Sequence, residues 1–248
     1  MSSIHHTKGI VLRTVKYGET SLIVSVFTET FGIQQYMVNG VRTNKKNPTF
    51  HPAQLQPGNL LDMVVYHNER QTLQRIKEVK QLMQQEENIS NITRNAMLLF
   101  MLELLQNCLK QPDAHADLFY FLEDIITGLY KSEEHQLANL PLFYIVHLSH
   151  FFGFRLMDNH SPVNQFLDLH EGQFVSFNPS HNLVIQPPLS EKVAQLLRTM
   201  QIEELGEIKM NRHQRNQLMD DLLQFYGMHI HPFYKLKSLS VIRTVLEE

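Results

Sequence analysis

One cysteine, Cys108, stands in the 248 residues. A lone thiol excludes an intramolecular disulfide and any zinc site built on several thiolates. It follows Leu104 and Leu105 on the apolar side of a predicted helix, so it reads as a buried, inert thiol rather than a nucleophile. No apolar run reaches the roughly 18–20 residues that a membrane span needs. Residues 1–8 are polar and lack the apolar core of a signal peptide, which predicts a protein of the reducing cytoplasm. No GxxxxGKS or GxxxxGKT and no GxGxxG occurs, so no phosphate-cradling loop is signalled. GxSxG is absent as well. There is no internal repeat and no low-complexity segment.

Charge is present but unevenly placed. Residues 1–80 hold ten Lys or Arg against five acids, a net of +5, while residues 81–248 hold twelve against twenty, a net of −8. The overall pI near 6.5 hides this split. A basic module joined to an acidic one suggests that one part meets a polyanion.

The basic part has the period of strands. Segments 9–15, 21–27, 33–38, 60–66 and 72–79 are short, apolar and rich in β-branched residues, with turn residues between them. In the third, Ile33, Gln35 and Met37 share one face and Gln34, Tyr36 and Val38 the other. Five short strands in about 80 residues predict a small closed barrel, because closure removes exposed edges. The domain is set at residues 1–80, with a long loop over 39–58.

From residue 81 the period changes to that of helices. Helices are predicted over 91–110, 117–130, 140–152, 191–200 with Ser190 as cap, 211–226 with an Asn211/Gln214 capping box, and 232–246. Residues 154–188 interrupt them with a hairpin insert that turns at Gly172. The fold class is α+β: a barrel at 1–80, then a helical domain at 81–248 carrying the insert.

Arg42, Lys45 and Lys46 lie in the loop Gly40-Val-Arg-Thr-Asn-Lys-Lys-Asn47. Cations on a barrel loop reach several phosphates, and each phosphate neutralised releases counterions. Lys8, Arg13 and Lys16, on or beside the first strand, extend the same surface. Tyr17, Tyr36, Phe50 and Tyr66 are the aromatics nearest them, and a ring stacks any base. A solvated loop over buried rings is the other reading of these residues.

Fourteen histidines require a metal site to be weighed. His147 and His150 share a helix face, and His229/His231 and His5/His6 are close pairs. HExxH is absent, and packed or solvated histidines are the reading. Acid pairs such as Glu86-Glu87 and Asp220-Asp221 read as solvated charge. Near the C-terminus Arg212, Arg215 and Lys237 accompany Phe225, Tyr226 and Phe233. This combination holds an acidic, hydrophobic peptide, or else belongs to a helix docked on its bundle.

Thr7-Lys-Gly-Ile-Val-Leu-Arg-Thr14, Tyr17-Gly-Glu19, Val26-Phe-Thr28, Gly32 and Gly40-Val-Arg42 resemble the start of the bacterial DNA repair and recombination protein family RecO. Leu222-Leu-Gln-Phe-Tyr226 and Leu236-Lys-Ser-Leu239 resemble its end. The resemblance implies an N-terminal oligonucleotide-binding (OB) barrel, a helical C-terminal domain and a non-enzymatic recombination mediator of the nucleoid. Such a protein binds single- and double-stranded DNA, anneals strands, and works with RecR to load RecA onto DNA coated by single-stranded-DNA-binding protein. On this likeness Lys8, Arg13 and Arg42 become DNA contacts, with Lys45 and Lys46 matching only as basic residues. Arg212, Arg215 and Lys237 become candidates for receiving the acidic, Phe-ended tail of single-stranded-DNA-binding protein. Many members carry four cysteines that bind zinc in the insert. Here residues 154–177 have none, and the hairpin is expected to stand without metal, held by Phe166, Leu169, Phe174 and Phe177. Two rival readings are a peptide-binding adaptor and a metal-dependent nuclease built on the histidine pairs.

Overall fold

A computed structural model describes residues 3–42, 50–83 and 91–245. Five strands, β1 (Ser3–Tyr17), β2 (Ser21–Thr28), β3 (Gly32–Val38), β4 (Leu60–His67) and β5 (Leu73–Gln81), close into a barrel in the order β1-β2-β3-β5-β4. β1 is long enough to pair with β2 along one half and with β4 along the other. The β3–β5 pairing is parallel and short, and it closes the barrel. This is the OB arrangement expected from sequence. Val11, Val24, Val26, Tyr36, Leu61, Met63 and Val65 fill its interior. Of the two faces of β3, the one bearing Tyr36 and Val38 points inward.

The helical region contains α1 (Ile92–Cys108), α2 (Ala116–Lys131), α3 (Glu134–Leu137), α4 (Leu140–Leu148), α5 (Leu189–Arg198), α6 (Arg212–His229) and α7 (Ser238–Val245). No described helix is long and apolar enough to cross a membrane. The chain divides into two compact units. One combines residues 1–90 with 109–126, and the other holds 91–108 and 127–248. The break is therefore not a single point in sequence, because the segment after α1 and the front of α2 belong to the barrel unit. There the Phe119 ring meets Phe27 at 6.0 Å, the Ile33 amide donates to the Pro112 carbonyl at 2.9 Å, and Tyr120 donates to Glu29.

In the helical unit, Asn211 accepts from the Gln214 amide while the Gln214 side chain accepts from Asn211, the predicted capping box. Ser190 is not a cap. The helix starts at Leu189 behind Pro188, and the Ser190 hydroxyl donates to the Gln165 carbonyl instead. The helix expected over 232–246 begins only at Ser238, where the Glu103 carboxylate accepts from the amides of Lys237 and Ser238 at 2.9 and 2.8 Å. The insert holds three short strands, β6 (Phe166–Asp168), β7 (Gln173–Val175) and β8 (Val184–Ile185), in the order β7-β6-β8. Leu167, Leu169, Phe174 and Ile185 are buried in it, and Asn159 brackets Phe174 with two hydrogen bonds. Phe177, expected among these, lies beyond β7 and is 67% exposed.

Candidate nucleic-acid interface

Residues directly opposite each other on paired strands place their side chains on the same face. The barrel registers can therefore be read as rows. Val15 pairs with Ile23, Ile23 with Met37, Met37 with Arg75, and Arg75 with Tyr66. The neighbouring row runs Arg13, Ser25, Gln35, Leu73. The Gln35 amide donates to the Ser25 hydroxyl at 3.0 Å, which confirms the shared side. Tyr17, two residues beyond Val15, continues that face. Arg13, Val15, Tyr17, Tyr66 and Arg75 are all exposed. The outer face running over β1, β2, β3, β5 and the end of β4 thus carries two guanidinium groups, two tyrosines and an apolar floor.

Two loops frame this face. Residues 18–20 join β1 to β2, and residues 68–72 join β4 to β5. Arg70 stands on the second loop. With Met37, Tyr66, Leu73 and Arg75 it lines a groove of about 930 Å³. The strand face and the loops after the first and fourth strands are the surface on which OB barrels hold oligonucleotides. Exposed rings beside cations suit that ligand: the rings stack on bases and the cations meet phosphates.

The cations named from sequence divide on this framework. Arg13 lies on the face itself. Lys16 is exposed at the end of β1 but shares the side of Thr14, whose hydroxyl donates to the Leu55 carbonyl. Arg42 is exposed, and its amide donates to the Thr20 carbonyl at 3.1 Å, which ties it to the first loop. Lys45 and Lys46 lie outside the described residues. Lys8 sits on the half of β1 that pairs with β4. Its ammonium donates to both Glu123 carboxylate oxygens at 2.9 and 3.1 Å and lies 5.9 Å from the centre of the Tyr120 ring. The hydrogen bond to Glu123 raises its pKa above the ordinary lysine value. To reach a phosphate Lys8 would have to leave this pair.

Arg70 and Arg75 were not singled out in the sequence. Both counted toward the basic surplus, but nothing local marks them. Arg75 reaches the face through its pairing with Met37, a contact made far along the chain.

Arg212, Arg215 and Lys237 are not brought to one place. Arg212 opens α6 and is exposed. Arg215, one turn on, is half-buried and donates to the Met210 carbonyl at 2.6 Å, and burial lowers its pKa. It stands between two hollows, one of about 380 Å³ with Met97, Leu137 and Val245, the other of about 420 Å³ with Asn139 and Lys209. Lys237 lies at the opposite end of α7 from Val245, beside Glu103.

His147 and His229 are engaged in packing. His147 stands 4.3 Å from Phe143 and hydrogen-bonds the Leu196 carbonyl, and burial lowers its pKa. His229 stacks on Phe154 at 4.9 Å. Asp168 takes the amides of His170 and Glu171 and faces His181. Among the described residues, no group of three or more His, Cys, Asp or Glu is placed to hold a metal ion.

Two family models match the chain. "Recombination protein O N terminal" covers residues 1–84 and "Recombination protein O C terminal" covers residues 89–240. The chain is 30% identical to the DNA repair protein RecO of Christiangramia forsetii over 242 residues, which is 97% of this chain and 98% of that one. It is 27% identical to the RecO of Azobacteroides pseudotrichonymphae, with 98% and 100% covered. It is 29% identical to the RecO of Bacteroides fragilis, again with 98% and 100% covered.

Proposed function

Because this chain belongs to the RecO family and so acts in DNA repair and recombination, we propose that it is a non-enzymatic mediator working through the outer face of its barrel. The observation that carries this is the row Val15, Ile23, Met37, Arg75, Tyr66 with Arg13 beside it. Arg13, Arg70 and Arg75 neutralise phosphates of a single strand, and Tyr17 and Tyr66 stack on its bases. Lys16 and Arg42 extend the path along the first loop, and Lys45 and Lys46 add charge to it. Lys8 contributes least, being held by Glu123.

Phosphate contacts carry no sequence information, so binding is independent of sequence. The protein lowers the repulsion between two strands, and base pairing selects the annealed product. Double-stranded DNA binds through the same cations. The helical unit receives protein partners: RecR, and the acidic tail of single-stranded-DNA-binding protein at Arg212 and Arg215, with Lys237 further off. RecA loading on coated DNA, in the cytoplasm and on the nucleoid, follows from these contacts rather than from catalysis.

Charge reversal at Arg42, Lys45 and Lys46 tests the loop. Weaker oligonucleotide binding with unchanged melting supports it, and unchanged affinity clears the loop of the role. A peptide ending in acids and Phe should bind at Arg215 without displacing the oligonucleotide. Competition between the two would mean that both use one site.

A further inference from the structure

β5 presents its residues alternately, with Arg75 outward and Gln74 inward. An inward position in a barrel ordinarily carries an apolar side chain, yet Gln74 is 2% exposed and polar. Its carboxamide does not reach into the barrel core for partners. It reaches back to the loop of residues 68–72. The Asn68 amide donates to Gln74 Oε1 at 3.0 Å, and Gln74 Nε2 donates to the carbonyls of Asn68 and Gln71 at 2.9 and 2.6 Å. One side chain that both donates and accepts thus fastens two points of the loop. The Asn68 side chain completes the arrangement by accepting from the Arg70 amide at 3.0 Å, and the Gln71 amide donates to the Asn68 carbonyl at 2.9 Å. Arg70 sits inside this frame and lines the groove with Tyr66 and Arg75.

We propose that Gln74 is a positioning residue for nucleic-acid binding: it holds the loop of residues 68–72 in the one conformation that sets Arg70 over the groove. This rests on the reading of the barrel face given above. A loop free to sample other shapes would keep its charge but would have to be ordered as the strand binds, and affinity falls by that cost. Gln74 itself touches no ligand and acts through Arg70.

The test is a double-variant cycle on the full chain, read by fluorescence anisotropy of a labelled oligo-dT across a salt series. Arg70→Ala and Gln74→Leu should each weaken binding by about three- to ten-fold; Arg70→Ala, which loses a phosphate contact, should flatten the log–log salt slope by roughly 0.7, and Gln74→Leu, which keeps it, should leave the slope as it was. The double variant should bind no more weakly than Arg70→Ala alone. A purely structural Gln74 would lower the melting temperature without this non-additivity. Wild-type affinity for Gln74→Leu beside a weakened Arg70→Ala overturns the inference. So does a double variant that shows the product of the two losses. An Arg70→Ala variant that binds like wild type overturns the groove reading itself, and the inference with it. If Gln74→Leu does not fold, Asn68→Ala replaces it, since that change removes the acceptor for the Arg70 amide and leaves the core untouched.

Discussion

Tyr36 lies fully buried in the barrel core, and its hydroxyl meets no hydrogen-bond partner among the described residues. Burial pushes its pKa above the ordinary phenol value. An unmet buried hydroxyl costs on the order of 1–3 kcal/mol. Tyr36→Phe is therefore expected to leave stability unchanged or to raise it by about 1 kcal/mol in a urea unfolding curve. A loss of more than about 1 kcal/mol would show that the hydroxyl has a partner. The helical unit shows the satisfied case. Tyr144 donates to the Met101 carbonyl at 2.9 Å and Tyr226 to that of Ile145 at 2.6 Å. Burial raises both phenols well above their ordinary value. Because the folded value is raised, this stability is complete below the ordinary phenol pKa of 10.0 and is lost as pH climbs above it. Denaturant midpoints should hold up to about pH 9 and then fall steeply. A midpoint flat through pH 11 would contradict the burial of these rings.

At the scale of elements, two short contacts decide how helices and strands are joined. Gly32 turns β2 into β3 with φ +63°, and a β-carbon there would stand 1.8 Å from the Pro112 carbonyl oxygen. Gly32→Ala should destabilise the barrel unit by more than about 1 kcal/mol and strip protection from the Ile33 amide in hydrogen exchange. Glu103 holds the start of α7. Burial alone would raise its pKa, but the hydroxyl and amide of Ser238 and the amide of Lys237 outweigh burial and hold it below the ordinary value. A lowered carboxyl stabilises above its unfolded pKa, and that support is lost as pH falls through the folded value. Glu103→Ala should cost about 1–2 kcal/mol and speed exchange across α7 while the barrel amides stay as they were. Exchange spread evenly over the chain would contradict so local a role.

Elements of this kind were largely legible in the sequence. Apolar spacing placed β1 to β5 and the long helices, and Asn211 with Gln214 marked the start of α6 because a cap is a contact between neighbours in the chain. Ser190 misled because a serine before a helix signals a cap only when the backbone enters there, and the chain enters through Pro188. The proposed binding face was legible only in part. Arg13 could be named because it lies on a strand among cations. Arg75, Tyr66 and Met37 converge through strand pairings that no local pattern encodes. Lys8 looked like its neighbours in sequence, yet a carboxylate from the front of α2 holds it. Gln74 offered a signal that sequence reasoning passed over, a polar residue at an inward position of a strand.

At the scale of the molecule, the charge split acquires a location. Of the cations in residues 1–80, Arg13 and Arg75 lie on one outer face of the closed barrel, Arg70 stands on one framing loop and Arg42 is tied to the other. The acidic remainder supplies Glu123 and Tyr120, which engage Lys8, and a helical unit in which Arg215 is half-buried and donates to the Met210 carbonyl. With four to six phosphate contacts on a single strand, the log–log salt slope should be roughly −3 to −4. The most direct test is the oligonucleotide affinity of the full chain, measured between about 50 and 200 mM salt for wild type and for Arg13→Glu/Arg75→Glu. The account predicts that slope for wild type and binding at least about ten-fold weaker for the variant, with melting unchanged. Equal affinity of the two proteins, or a slope near zero, would contradict it.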